Sequence, residues 1–252
     1  MKIFTAVLLF TLWNGGMVIA QTQANNSNAD MTTENNLVIS TPGTYEMILP
    51  EVNRRYTLVI PDGYTGLTPV PLIMSLHPGG PVTPFYGRSV LDRLIEPALR
   101  DLGAIMVGPD CNSIAWANPV ASDHIIELLD FIQANYNIDP DRTLITGLSM
   151  GGHGTWYLAP RYQDRFKLAI PISGRPQSDS TSMHWRIPMY VIHSKADERV
   201  LFEPTKSVVE ELSAKGAPIT LAVVNDLTHF EWPKLLPHLK SAIPWILENW
   251  NK

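Results

Sequence analysis

One cysteine in 252 residues, Cys111, leaves this chain without the means for an intramolecular disulfide. Positive charge is also scarce. Nineteen Lys and Arg against 24 Asp and Glu give a formal net charge of −5, and no basic cluster interrupts that balance. This argues against nucleic acid or an anionic membrane surface as the main partner. Long apolar runs are missing as well: the stretch Ala6–Leu12 is short for a bilayer span and is soon broken by Asn14-Gly15-Gly16. The chain shows no internal repeat.

What the N-terminus does have is a basic start at Met1-Lys2, that short apolar middle, and a small-residue end at Val18-Ile19-Ala20. This is the layout of a secretory signal peptide over residues 1–20, with a secreted or periplasmic product and no stable membrane anchor after cleavage. Residues 21–36, rich in Asn, Thr, Gln and Ser, read as a disordered leader. Residues 37–252 have the composition and size of one α/β domain. The free Cys111 reads as a half-buried bystander.

Thr44–Leu49 and Arg55–Ile60 alternate apolar and polar residues around a turn at Pro50–Asn53, as an antiparallel pair would. The runs Pro71–His77, Ala104–Gly108, Thr143–Thr146, Leu168–Ile172, Met189–His193 and Thr220–Val224 are more uniformly apolar, as expected of strands covered on both faces. Between them, Val90–Leu99, Ile125–Tyr136, Val208–Leu212 and Ala242–Leu247 repeat at helical spacing. The alternation predicts a mostly parallel central sheet with helices on both faces. Sites in such sheets form beyond the carboxyl ends of the strands.

Gly147-Leu148-Ser149-Met150-Gly151 follows one of these strands and precedes a helix-compatible run to Leu158. G-x-S-x-G in that context is a strained elbow that lifts a serine hydroxyl clear of the sheet and leaves the next amide, that of Met150, free to bind an oxyanion. A serine nucleophile needs a base and an orienting acid, in the chain order Ser, Asp or Glu, His. His229, in the loop after Thr220–Val224, is the best placed of seven histidines; His238, His184, His193 and His153 read as packing or surface residues. After Met189–His193, Asp197 or Glu198 can reach that histidine, Asp197 being the first choice, and Asp226 reads as a turn former. A second oxyanion donor belongs to the loop His77-Pro78-Gly79-Gly80-Pro81. Its prolines carry no N–H, which leaves Gly79 and Gly80, with His77 bracing the loop.

Leu76-His77-Pro78-Gly79-Gly80, Tyr136–Arg142 leading into Thr146–Gly152, and the Asp197 and His229 loops resemble the α/β-hydrolase superfamily. Within it they resemble small secreted carboxylesterases of the polyhydroxybutyrate depolymerase and feruloyl esterase type. The resemblance implies Ser149 as nucleophile, His229 as base, Asp197 as orienter, and amides near Gly80 and of Met150 as the oxyanion hole. The acid loop departs from the G-x-x-D-x-x-V-P pattern, with Ser194 for the Gly and Leu201 for the Pro. No insertion is long enough for a large cap domain, so an open site is expected. Trp116, Tyr86, Trp156, His184 and Trp185 are candidate pocket residues, Trp116 first because its irregular stretch follows a strand's end, with His77 beside it. The expectation is an exported serine ester hydrolase, a carboxylesterase of feruloyl or acetyl type, acting on a small-molecule or carbohydrate-linked ester with no metal or organic cofactor. The alternatives are a peptidase of prolyl-oligopeptidase type and a catalytically silent binding protein. Oligomeric state is not legible.

Overall fold

The computed structural model describes residues 38–49, 52–81 and 83–252. The expected signal peptide (1–20) and leader (21–36), and the Pro50-Glu51 part of the first turn, lie outside the described residues.

The strands are β1 (Gly43–Leu49), β2 (Arg54–Ile60), β3 (Val70–Leu76), β4 (Ile105–Pro109), β5 (Ile138–Leu148), β6 (Leu168–Ile172), β7 (Met189–Ser194) and β8 (Ile219–Val224). They form one sheet in the order β1-β2-β4-β3-β5-β6-β7-β8. The β1–β2 and β2–β4 pairs are antiparallel. From β4 through β8 every pairing is parallel. The hairpin therefore closes one edge of an otherwise parallel sheet, and the chain crosses back once to place β3 between β4 and β5.

Side-chain alternation along the strands sorts the core into two layers. Leu72, Met74 and Leu76 of β3 join Val107 and Ile145 on one face, against Ile125, Leu129 and Ile132 of α3 (Pro119–Asn135). Trp156 of α4 (Met150–Leu158) and Leu212 of α5 (Phe202–Ala214) pack into the same layer. Ile73, Met106, Leu144 and Ile170 point to the other face, under Leu91 and Leu94, and under Leu239 of α6 (Leu236–Lys240) and Ile246 of α7 (Ile243–Trp250). Helices thus cover both faces, as the alternation of elements predicts, and no large cap stands over the sheet among the described residues.

Two local departures have physical causes. The strand expected at Thr143–Thr146 is the buried heart of the longer β5, whose first residues are polar and partly exposed. Pairing with β3 shifts register between Ile138 and Thr143, a stretch that contains Pro140, and Arg142 Nε donates to Asp139 Oδ2 there (2.6 Å). The helix expected over Val90–Leu99 is broken into α1 (Gly87–Val90), a π-helical segment Leu91–Ile95 and α2 (Glu96–Leu99). Pro97, at the second residue of α2, has no N–H to continue a regular ladder, and the wider turn precedes it.

Candidate active site

β5 passes into α4 through Ser149, whose backbone lies at φ 54°, ψ −111°. A residue with a β-carbon rarely adopts that region, and the strain persists because the surroundings fix both of its ends. Its N–H donates to the Ile172 carbonyl (2.9 Å), and its own carbonyl accepts from His153 N (2.8 Å). The flanking glycines are a steric necessity. A β-carbon on Gly151 would lie 2.0 Å from the Leu76 carbonyl oxygen, and one on Gly147 would lie 2.5 Å from the Gly151 backbone. The elbow therefore seats α4 directly against β3, and the N–H of Met150, first in the helix, has no carbonyl a turn earlier to bond.

Ser149 Oγ lies 2.8 Å from His229 Nε2. On the other side of the ring, His229 Nδ1 lies 2.8 Å from Asp197 Oδ2. A carboxylate can only accept, so Nδ1 carries the proton and Nε2 is left to accept from the serine hydroxyl. Burial pushes the Asp197 carboxyl upward, but the nearby His193 imidazole and hydrogen bonds from His229 and the Val200 N–H outweigh it and hold the group well below the usual carboxylate range. His193 Nε2 hydrogen-bonds the Val200 carbonyl (2.8 Å) and stands 3.6 Å from Asp197 Oδ2, a close contact beyond hydrogen-bond reach. The Arg199 and Val200 amides donate to Asp197 Oδ1 at 3.0 and 2.8 Å. Glu198 does not approach the imidazole through its ring; its Oε2 accepts from the His229 backbone N–H (3.0 Å). Thr228 and Glu231 form a capping box at the start of the 3₁₀ turn His229–Leu235, which fixes the histidine's departure angle.

His77 is buried behind the glycine loop. Cys111 N donates to its Nε2 (2.9 Å), so the proton sits on Nδ1, which donates to the Pro78 carbonyl (2.7 Å). One acceptor and one donor suit the neutral ring, and burial holds the pKa below its ordinary value. Trp116 Nε1 donates to the His77 carbonyl (2.9 Å), and His77 contacts the Trp116 and Tyr86 rings edge-on at 5.0 and 4.9 Å. Tyr86 is placed in turn by Asp110, whose carboxylate accepts from the Phe85 and Gly87 amides (2.7 and 3.2 Å). Sequence reasoning missed Asp110; its position immediately after β4 was the available signal.

This arrangement of elbow, histidine and acid, on this sheet, meets a matching family description. The Esterase family model covers residues 51–226. The chain belongs to that family. Feruloyl esterase D of Neurospora crassa is 28% identical over 162 residues, which span 58% of this chain and 53% of that protein. Poly(3-hydroxyalkanoate) depolymerase C of Paucimonas lemoignei is 44% identical over 59 residues, 23% of this chain and 14% of that protein. The chain thus spans about half or less of the length of these curated relatives. Among solved structures, a thermostable esterase superposes with a TM-score of 0.70 at 23% identity, covering 84% of this chain and 64% of that one. S-formylglutathione hydrolase of Staphylococcus aureus gives 0.64 at 18%, covering 82% and 98%. The structural likenesses bear on the fold, which is that of the α/β-hydrolases.

In this Esterase-family chain a cavity of ≈ 600 Å³ opens in front of Ser149 and His229. Gly79 and Met150 line it, whereas Gly80 faces only a neighbouring cavity of ≈ 390 Å³ that also takes in His77 and Cys111. Tyr86 belongs to both. Trp116 does not line the cavity at Ser149, and its expected place as a pocket wall is corrected: it is 1% exposed and packs beneath the glycine loop. Gly154 of α4 makes room for it, since a β-carbon there would lie 2.3 Å from Trp116 Cβ. Trp156 and Trp185 are likewise core residues, stacked edge-on at 5.7 Å, and His184 is exposed elsewhere. The aromatic surface at the cavity comes instead from Tyr86, Phe230 and Trp232, the last two within the turn that starts at His229. Among the described residues, no helix is long and apolar enough to cross a membrane.

Proposed function

We propose that this chain is an exported serine ester hydrolase that turns over carboxylic esters through an acyl-enzyme on Ser149. The observation that carries the reading is the unbroken hydrogen-bond chain from Ser149 Oγ to His229 to Asp197, with both links at 2.8 Å. In the first step Ser149 Oγ bonds to the ester carbonyl carbon while its proton passes to His229 Nε2, and Asp197 stabilises the resulting imidazolium. The carbonyl oxygen becomes an oxyanion held by the Met150 and Gly79 amides. Gly79 is preferred over Gly80 because it lines the cavity with Ser149. Collapse of this intermediate breaks the bond to the alcohol, which leaves with the proton from Nε2. Water then gives a proton to Nε2, its oxygen attacks the acyl carbon, and the acid departs as Ser149 Oγ recovers its proton. This chemistry calls for no metal or organic cofactor. The open cavity and its aromatic rim suit small or extended acyl groups, including aryl acids such as ferulate and short ones such as acetate. The alcohol is a small molecule or a carbohydrate.

The test is hydrolysis of 4-nitrophenyl esters from acetate to decanoate, with methyl ferulate beside them, by wild type and Ser149→Ala. Turnover is expected to fall by at least about 10⁴-fold in the variant. A dialkyl fluorophosphate is expected to transfer its dialkylphosphoryl group to Ser149 Oγ of wild type, with loss of fluoride and the hydroxyl proton, and to leave the variant unlabelled. Folded wild-type protein that hydrolyses none of the esters would sink the reading. Export is checked by N-terminal sequencing of the mature protein, expected to begin at Gln21; a retained Met1 would refute it.

A further inference from the structure

The cavity in front of Ser149 carries positive charge that the proposed ester chemistry does not use. Arg93 and Arg199 both line it, and no Asp or Glu is among the residues that line it with them. Most arginines of this chain are spoken for: Arg54, Arg88, Arg100, Arg142, Arg161, Arg165 and Arg186 each form an ion pair. Arg93 and Arg199 form none among the described residues. The nearby acids are otherwise engaged, Asp197 with the imidazole and Glu198 with the His229 amide. Arg55 and Arg175 likewise have no ion pair among the described residues, but only Arg93 and Arg199 share the cavity at Ser149.

Their placement adds to this. Arg93 belongs to the π-helical segment Leu91–Ile95, an irregularity that turns a side chain away from its regular helical position. Its guanidinium carbon lies 4.7 Å from the centre of the Trp232 ring, so the cation is held over an aromatic plate on the cavity wall. A cation–π contact uses no N–H acceptor, and no side-chain hydrogen bond of Arg93 is formed among the described residues, so its N–H groups remain available to a carboxylate. Arg199 comes from the acid loop itself, with its amide fixed by Asp197 Oδ1.

We infer that Arg93 and Arg199 form a carboxylate-recognising wall of the cavity at Ser149, so that the preferred ester carries a negative charge on the portion lodged beside Trp232. The inference rests on the ester-hydrolase reading of the same cavity. The carboxylate belongs either to the acid half of the ester, as in a half-ester of a dicarboxylic acid, or to the alcohol half, as in an ester of a hydroxy acid or uronic acid.

Two matched substrate pairs separate these sources. Mono-4-nitrophenyl glutarate is compared with 4-nitrophenyl pentanoate, and 4-acetoxybenzoate with its methyl ester. The readout is the ratio of kcat/KM for the charged ester to that for its neutral counterpart, in wild type, Arg93→Gln, Arg199→Gln and Arg93→Lys. In wild type the ratio is expected to exceed one for one pair, and that pair identifies which half bears the charge. Each Arg→Gln change is expected to lower that ratio by up to about fivefold, the upper end for an exposed charge pair. Arg93→Lys is expected to recover part of it, and added salt to lower the wild-type ratio by screening. Ratios at or below one in both pairs, or ratios unmoved by both Gln variants, would overturn the inference while turnover of the neutral esters left the hydrolase reading in place. Folded wild type that cleaves none of the four would overturn both.

Discussion

Replacing Gly151 by Ala tests the elbow through a single methyl group. The added β-carbon would lie 2.0 Å from the Leu76 carbonyl oxygen, 2.6 Å from its carbon and 3.0 Å from the His77 oxygen. Ordinary contact begins at 3.4 Å, so the two backbones must part by about 1.4 Å (3.4 less 2.0). Leu76 can supply little of that movement, because it is paired with Gly147 of β5 and the strand just before it is also bonded to β4. The start of α4 must retreat instead, and it takes the Met150 amide and the Ser149 hydroxyl with it. Overpacking of this kind costs about 1–3 kcal/mol, which for a domain of this size lowers Tm by about 2–12 °C. A displacement near 1 Å at the serine costs about 10²-fold in rate, so kcat is expected to fall by about that factor alongside the loss of stability. Thermal melts and 4-nitrophenyl butyrate kinetics measure both. Gly79→Ala is the steric contrast, since its β-carbon would meet Met150 side-chain atoms at 3.8 Å and its Tm is expected to match wild type. A Gly151→Ala protein with wild-type Tm and kcat within about twofold of wild type would refute the claim that close seating of α4 on β3 positions the serine.

Asp197→Asn is expected to lower kcat by about 10⁴-fold while KM moves far less, because the amide can hold the ring in the wrong tautomer; steady-state kinetics decide, and a loss below tenfold would count against the role. His77 supplies a prediction in pH. Its folded pKa lies below the ordinary 6.5, chiefly through burial, so the stability that its neutral ring confers is complete above that value and is lost as pH falls from it toward the folded pKa. The loss runs at up to about 1.4 kcal/mol per pH unit. Urea denaturation at pH 7.5 and 5.5 is expected to show wild type losing more stability on acidification than His77→Gln, and equal losses would contradict a buried ring that is held neutral.

The parts of this molecule that were legible in the sequence are those with a strong local signature. Apolar runs marked the parallel strands because both sheet faces are covered, and the glycines around Ser149 marked the elbow because backbone approaches backbone there. Ser149, Asp197 and His229 meet in space because each follows the carboxyl end of a parallel strand, a relation that chain order conveys. Trp116 was misread for the opposite reason. A tryptophan in an irregular segment looks the same whether it faces a cavity or lies beneath one, and the deciding feature is the space left by Gly154 on a distant helix. Gly79 and Gly80 are alike in sequence; they differ because Tyr86 folds over the second, its hydroxyl only 2.0 Å from where a Gly80 β-carbon would be. Arg93 carries no mark in the sequence, since a π turn leaves no periodic trace in five residues.

The sheet order carries one more consequence. Ser149 leaves from β5, near the centre, while His229 arrives from β8, the outermost strand, with β6 and β7 between them. β8 is paired on one side only and is partly exposed along most of its length. If that edge peels away, β1 through β7 and the elbow can persist, yet Ser149 loses the imidazole that its hydroxyl bonds. The 2.8 Å contact between Ser149 and His229 is thus an end-to-end gauge of whether the last strand is home. Turnover would report the fraying of a single sheet edge before any spectroscopic measure of the whole domain does.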